Sequence, residues 1–125
     1  MMSENLDRLI KIEEDACSFG FEWPDVASIL EQIVSECDEV KDALQNNESK
    51  ERIQEEIGDL LHASISLCLF VGFNPEDTLS KVAYKIENRM DLIKIAAKQR
   101  GLDSLKGQTT EFMLELWDEA KKASK

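Results

Sequence analysis

Apolar residues in this chain recur at intervals of three and four, and almost nowhere in strict alternation. The clearest run is Val26, Ile29, Leu30, Ile33, Val34, Cys37, Val40 and Leu44. At about 100° per residue, such spacing lays an apolar stripe along one side of an α-helix. A strand would need a period of two. The same spacing defines four further segments. A first helix is predicted from Glu4 to Phe19, ended by Gly20, with Leu6, Leu9, Ile10 and Ile12 inward. The second runs from about Pro24 to Leu44, and the third from about Lys50 to Val71, stopped by Gly72. Asn74-Pro75 reads as an N-cap followed by a first-turn proline. It opens a fourth helix that runs to about Gln99, with Leu79, Val82, Ala83, Ile86, Met90, Ile93 and Ala97 inward. A last helix covers about Thr110 to Lys122.

Long helices, short breaks and no strands predict an all-α fold, a bundle of about five helices around a four-helix core. With 125 residues and no linker or low-complexity tract, residues 1–125 read as a single domain. The segment Ala63 to Val71 is apolar nearly all round, which calls for a central place in a bundle or a second subunit to cover it.

The formal net charge is -11, which argues against polymeric nucleic acid and anionic membranes as partners. No apolar stretch is long enough to span a bilayer, and the first fifteen residues lack a signal-peptide core, so a cytoplasmic location is expected. Cys17, Cys37 and Cys68 form no metal-binding spacing and are expected to be buried or half-buried.

Acids stand three apart on two consecutive helices: Glu36 and Glu39 on the second, Glu56 and Asp59 on the third. Residues three apart project from one side of a helix. Glu36 falls about 80° from the centre of its stripe, and the other three also flank their stripes, bordering the core. With 26 acidic residues in the chain, either pair alone is ordinary surface. Two pairs on facing flanks are different. Four converging carboxylates repel one another in reduced dielectric unless a cation neutralises them, and oxygen donors suit Mg²⁺ or Mn²⁺. Gly58, between the acids of the second pair, suggests close approach of a neighbouring helix or ligand. Lys85 and Arg89, four apart on the fourth helix, make a candidate phosphate cradle; Lys81 extends the row.

The run Glu36-x-x-Glu39-Val40, then Glu55-Glu56-Ile57-Gly58-Asp59-Leu60-Leu61, then Lys85-x-x-x-Arg89, resembles the MazG-like nucleotide pyrophosphohydrolases. These all-α NTP pyrophosphatases stand alongside the dimeric dUTPases and carry ExxE followed by ExxD. The ending Leu114 to Lys121 resembles the C-terminal part of MazG domains. The resemblance implies a homodimer or homotetramer and Mg²⁺-dependent hydrolysis of an NTP or dNTP to monophosphate and pyrophosphate, with house-cleaning of the nucleotide pool as one family role. It implies that Glu36, Glu39, Glu56 and Asp59 are the catalytic metal ligands and that Lys85 and Arg89 contact phosphates. Glu55 or Asp38 would be at hand to accept the proton of the attacking water. Two departures bear on base selectivity and leave the acids intact. The chain reads Phe21-Glu22-Trp23-Pro24-Asp25 where MazG domains often have Cys-Pro-Trp-Asp, and Asn88-Arg89 where they tend to have two arginines. A dUTPase-like enzyme and a non-catalytic acidic interaction module are the alternative readings; all four acids are present, which a degenerate module would not need.

Four other residues stand out. Trp23 could stack on a base or cap the core. His62 is the only histidine, which argues against a di-iron bundle, and is expected on the surface or between subunits. Phe70 and Phe73 suit a dimer interface.

Overall fold

In the computed structural model, residues 4–124 are described. They form five α-helices: α1 (Glu4–Phe19), α2 (Val26–Gln45), α3 (Lys50–Val71), α4 (Pro75–Gln99) and α5 (Thr110–Ala123). No strand occurs among the described residues. The all-α expectation holds, and the helix limits lie within a residue or two of those read from spacing.

Local chemistry sets the ends. The expected start of α2 at Pro24 is corrected by the Asp25 carboxylate, which accepts from the Ser28 backbone N–H at 2.8 Å and so makes Asp25 the N-cap. Ser49 caps α3 through the Arg52 N–H (3.2 Å), and Thr109 caps α5 through the Phe112 N–H (3.1 Å). Asn74 Oδ1 accepts from the Asp77 N–H at 3.1 Å, so Asn74-Pro75 acts as the helix start it resembles. Gly72 ends α3 in the left-handed region (φ 96°), where a β-carbon would be strained.

The chain divides into two compact units, Met1–Thr78 and Leu79–Lys125. In the first, α2 and α3 form the main helix pair. The loop between them, residues 46–49, is so short that α3 must fold straight back along α2. That fixes the register. Glu36 and Asp59 each lie nine residues from the loop end of their helix, and Glu39 and Glu56 each lie six. Equal rise per residue therefore sets the two pairs level with each other. Ile29, Ala43 and Ala63 are buried in this unit, as are Leu6 and Ile10 of α1. In the second unit, Ile93, Leu116 and Ala120 form a small core against which Leu92, Leu105, Phe112 and Trp117 pack.

Several apolar stripes are less covered than their spacing predicts. Ile93 and Ala97 of α4 are buried, but Leu79, Val82, Ile86 and Met90 are exposed, as are Val34 of α2 and Phe70 and Phe73 at the end of α3. Helical periodicity marks a face that wants a partner and does not say that the same chain supplies it. Cys17 and Cys37 are exposed, and only Cys68 is half-buried.

Ile29 of α2 is fully buried, one of the two largest side chains so enclosed among the described residues. Ile29→Ala is expected to lower unfolding free energy by about 2–5 kcal/mol, the usual range for a buried large-to-small change. Urea unfolding followed by circular dichroism measures it.

Candidate metal site

Three of the four expected acids converge. One carboxylate oxygen from each of Glu36, Glu56 and Asp59 lies within 4.8 Å of the others. Trans oxygens in a Mg²⁺ shell stand about 4.2 Å apart, so the three are placed for a shared small cation. Burial is graded across the group: Glu56 is buried, Glu36 is half-buried and Asp59 is exposed. The expectation that all four merely border the core is thus corrected for Glu56, which is only 3% exposed.

The reason Glu56 can be buried is Arg52, one helical turn before it. Arg52 Nη2 lies 2.7 Å from Glu56 Oε1. Its Nη1 donates to Glu55 at 3.2 Å, and its Nε lies 3.8 Å from Glu48. On α2, Gln32 Nε2 donates to Glu36 Oε1 at 2.5 Å. Each of these supporting residues satisfies one oxygen of its carboxylate and no more. Glu36 Oε2 and Glu56 Oε2 are both buried, and no described group hydrogen-bonds to either. A buried carboxylate oxygen with no partner costs about 1–3 kcal/mol or more, because it has lost water and gained nothing. Two such atoms beside a third carboxylate are what a divalent cation would satisfy, and hard oxygen donors suit Mg²⁺ or Mn²⁺.

Glu39 stands just outside this trio, facing Glu56. Its carboxyl is held above the ordinary glutamate range by the Glu56 carboxyl, first because the protonated form can hydrogen-bond to it and then by its like charge, with the charge of Glu36 adding to the effect and Arg52 opposing it. The fourth acid therefore feels the same charge excess although it is solvent-exposed.

The remaining expected residues are placed as follows. Gly58 meets no protein atom: a β-carbon there would find nothing within 4 Å, so the close approach of a neighbouring helix is not present in the chain. Lys85 and Arg89 belong to the second unit, where Lys85 is exposed. The Arg89 guanidinium lies over the Trp117 ring, 5.3 Å from its centroid, and its Nε donates to Ser124 Oγ at 3.5 Å. Trp23 is half-buried and lines a hollow of about 250 Å³ together with Gln32, Glu36, Asp59 and His62. His62 is exposed and bonds within the chain, with Nε2 2.5 Å from Glu13 Oε1.

Gln32 and Arg52 went unnoticed in the sequence, yet each stands four residues before the acid it holds. That spacing was available as a signal; its meaning emerges only once the acids are known to be buried.

The chain matches the MazG nucleotide pyrophosphohydrolase domain over residues 25–93, from the cap of α2 into α4. This segment is more than half of the chain and contains every acid of the site. The chain belongs to the MazG nucleotide pyrophosphohydrolase domain family. It is 31% identical over 118 residues to a nucleoside triphosphate pyrophosphohydrolase of Escherichia coli K12, covering 94% of this chain and 44% of that protein. It is 32% identical over 111 residues to the nucleoside triphosphate pyrophosphohydrolase/pyrophosphatase MazG of Thermotoga maritima, covering 89% and 42%. The chain thus spans less than half the length of these relatives. The MazG assignment agrees with the acid geometry: the matched segment centres on the α2–α3 hairpin.

The raised pKa of Glu39 has a signed consequence. A group that binds its proton more tightly when folded favours the folded state at low pH, and that contribution is lost as pH rises through the folded value. In chelator, wild-type stability should therefore fall as pH rises above the ordinary glutamate value of 4.5, and Glu39→Gln should flatten that fall. Thermal melts across the acidic range in EDTA test it.

Proposed function

We propose that this chain hydrolyses nucleoside triphosphates, NTP or dNTP, to the monophosphate and pyrophosphate, with Mg²⁺ held by Glu36, Glu39, Glu56 and Asp59 and with Mn²⁺ as a substitute. The observation that carries this reading is the pair of buried, unpartnered oxygens, Glu36 Oε2 and Glu56 Oε2, inside the acidic motif of a MazG-family chain. The names of the Escherichia coli and Thermotoga maritima relatives support the reaction.

The protein's own groups have distinct tasks. Glu36 and Glu56 present fixed oxygens, because Gln32 and Arg52 lock their other ends. Asp59 and Glu39, both exposed, complete the donor set from the open side. When bound, Mg²⁺ neutralises triphosphate charge and lowers the pKa of a coordinated water. Lys85 and Arg89 are assigned to the phosphates, where cationic donors stabilise charge on the transferring and leaving oxygens. A carboxylate outside the donor set takes the water's proton; Asp38 is exposed, whereas Glu55 already accepts from Arg52. Trp23 is assigned to the base, since it lines the hollow that also contains Glu36 and Asp59.

We also assign the chain to a homodimer or homotetramer. Phe70, Val71 and Phe73 of the first unit and Leu79, Val82 and Ile86 of the second are all exposed in the single chain, and a second copy would be a natural cover for them. We assign the reaction to the cytoplasm, the location that fits a nucleoside triphosphate substrate.

Glu56→Ala and Asp59→Ala should each lower pyrophosphate release at least about 100-fold, the scale of a lost charge-stabilising group, while the helical circular dichroism spectrum persists. Millimolar Mg²⁺ should raise the melting temperature of the wild type and leave that of Glu56→Ala unmoved, because a ligand bound only by the folded state stabilises it by mass action. Unchanged turnover in both variants would remove the assignment.

A further inference from the structure

Glu13 of α1 is gripped from α3 in an unusual way. His62 Nε2 and Ser66 Oγ both lie 2.5 Å from the same carboxylate oxygen, Oε1. Ser66 is buried, and the Glu13 side chain is only 20% exposed. Among the described residues no group donates to Oε2. Two donors on one oxygen fix the carboxylate's orientation and leave its other half as an acceptor with unspent capacity.

That carboxylate stands in the wall of a cavity of about 400 Å³, lined on its apolar sides by Ile12, Ala16, Phe21 and Trp23. The volume lies in the range of small-molecule sites, as does the mix of apolar walls with a few fixed polar groups. Trp23, His62 and Ser66 also line the smaller hollow that contains Glu36 and Asp59. The two spaces therefore adjoin. Glu22 adds a second carboxylate to the larger one, so phosphates are repelled from it and the uncharged end of a nucleotide is favoured.

We propose that Glu13 selects the base, admitting those that present an amino group to it, cytosine or adenine, over those that present a carbonyl, uracil or hypoxanthine; this rests on the nucleotide-hydrolase reading above. A carboxylate cannot donate a hydrogen bond. An exocyclic amino group on the base satisfies the free oxygen, whereas a carbonyl there sets acceptor against acceptor and leaves both unpaired. A site built around one such bond discriminates strongly against the analogue that lacks the donor.

The pairs CTP/UTP and ATP/ITP each exchange an amino group for a carbonyl on an otherwise similar ring. Wild-type kcat/KM, read by pyrophosphate release with Mg²⁺, should favour the amino member by about tenfold or more in any pair that is turned over. Glu13→Gln, whose amide can donate, should bring that ratio towards unity; a purely structural role for Glu13 would lower both members alike and leave the ratio. Preference for UTP or ITP in the wild type, or an unchanged ratio in the variant, overturns the proposal. Should the variant not fold, calorimetry on the wild type with CMP and UMP decides: CMP should bind about tenfold tighter or more, and equal affinity overturns the assignment. No pyrophosphate from any of the four triphosphates would instead defeat the hydrolase reading, and the CMP and UMP comparison would still judge Glu13.

Discussion

The arrangement of the first unit depends on keeping the Glu56 carboxylate out of water. Removing an ionised carboxyl from solvent is costly unless its oxygens are matched. Arg52 matches one, the other has no hydrogen-bond partner among the described residues, and the carboxylate converges with those of Glu36 and Asp59. A chain selected for stability alone would do better with an apolar residue at this position, since well-packed hydrophobic groups often replace buried ionic ones without loss. The retained charge, set among like charges, is a strained arrangement that a bound cation would relieve.

The hairpin is what makes this economical in sequence. Four acids in two short motifs would be scattered over the surface of most folds. A four-residue loop folds α3 back along α2, so residues equidistant from the loop lie level with each other, and those on the facing sides can meet. Ile29 and Ala43 on α2 and Ala63 on α3 are buried, and the two alanines are small enough to permit close approach of a neighbouring element. Register, and with it the spacing of the acids, follows from loop length and packing together.

Much of this was legible in the sequence because it is local. Helix limits follow from apolar spacing and from Gly20, Gly72 and Asn74, whose end-capping chemistry is local. The acid pairs were legible for the same reason. What escaped was of two kinds. Gln32 and Arg52 sit at ordinary i,i+4 positions, and among so many charged residues nothing singles them out until Glu36 and Glu56 are seen to be buried. Glu13, by contrast, meets residues 49 and 53 positions away; no periodicity carries such a contact. The exposed stripe on α4 shows a third limit, since Leu79, Val82 and Ile86 have helical spacing whether the surface that covers them comes from this chain or another.

Charge gives the site a direction. A chain with a net charge of -11 presents a repulsive field to any triphosphate. Attraction has to be local, and a cation among Glu36, Glu56 and Asp59 would provide it at one end of the adjoining hollows. At the other end Glu13 and Glu22 repel phosphate and leave room for a neutral ring beside Trp23 and Phe21. On the proposed reading, the same acidity that disfavours a nucleic-acid polymer would orient a single nucleotide, phosphates towards the metal ligands and base towards α1. The polarity does not depend on any one hydrogen bond. It arises because Glu36 and Asp59 line one hollow and Glu13 and Glu22 line its neighbour.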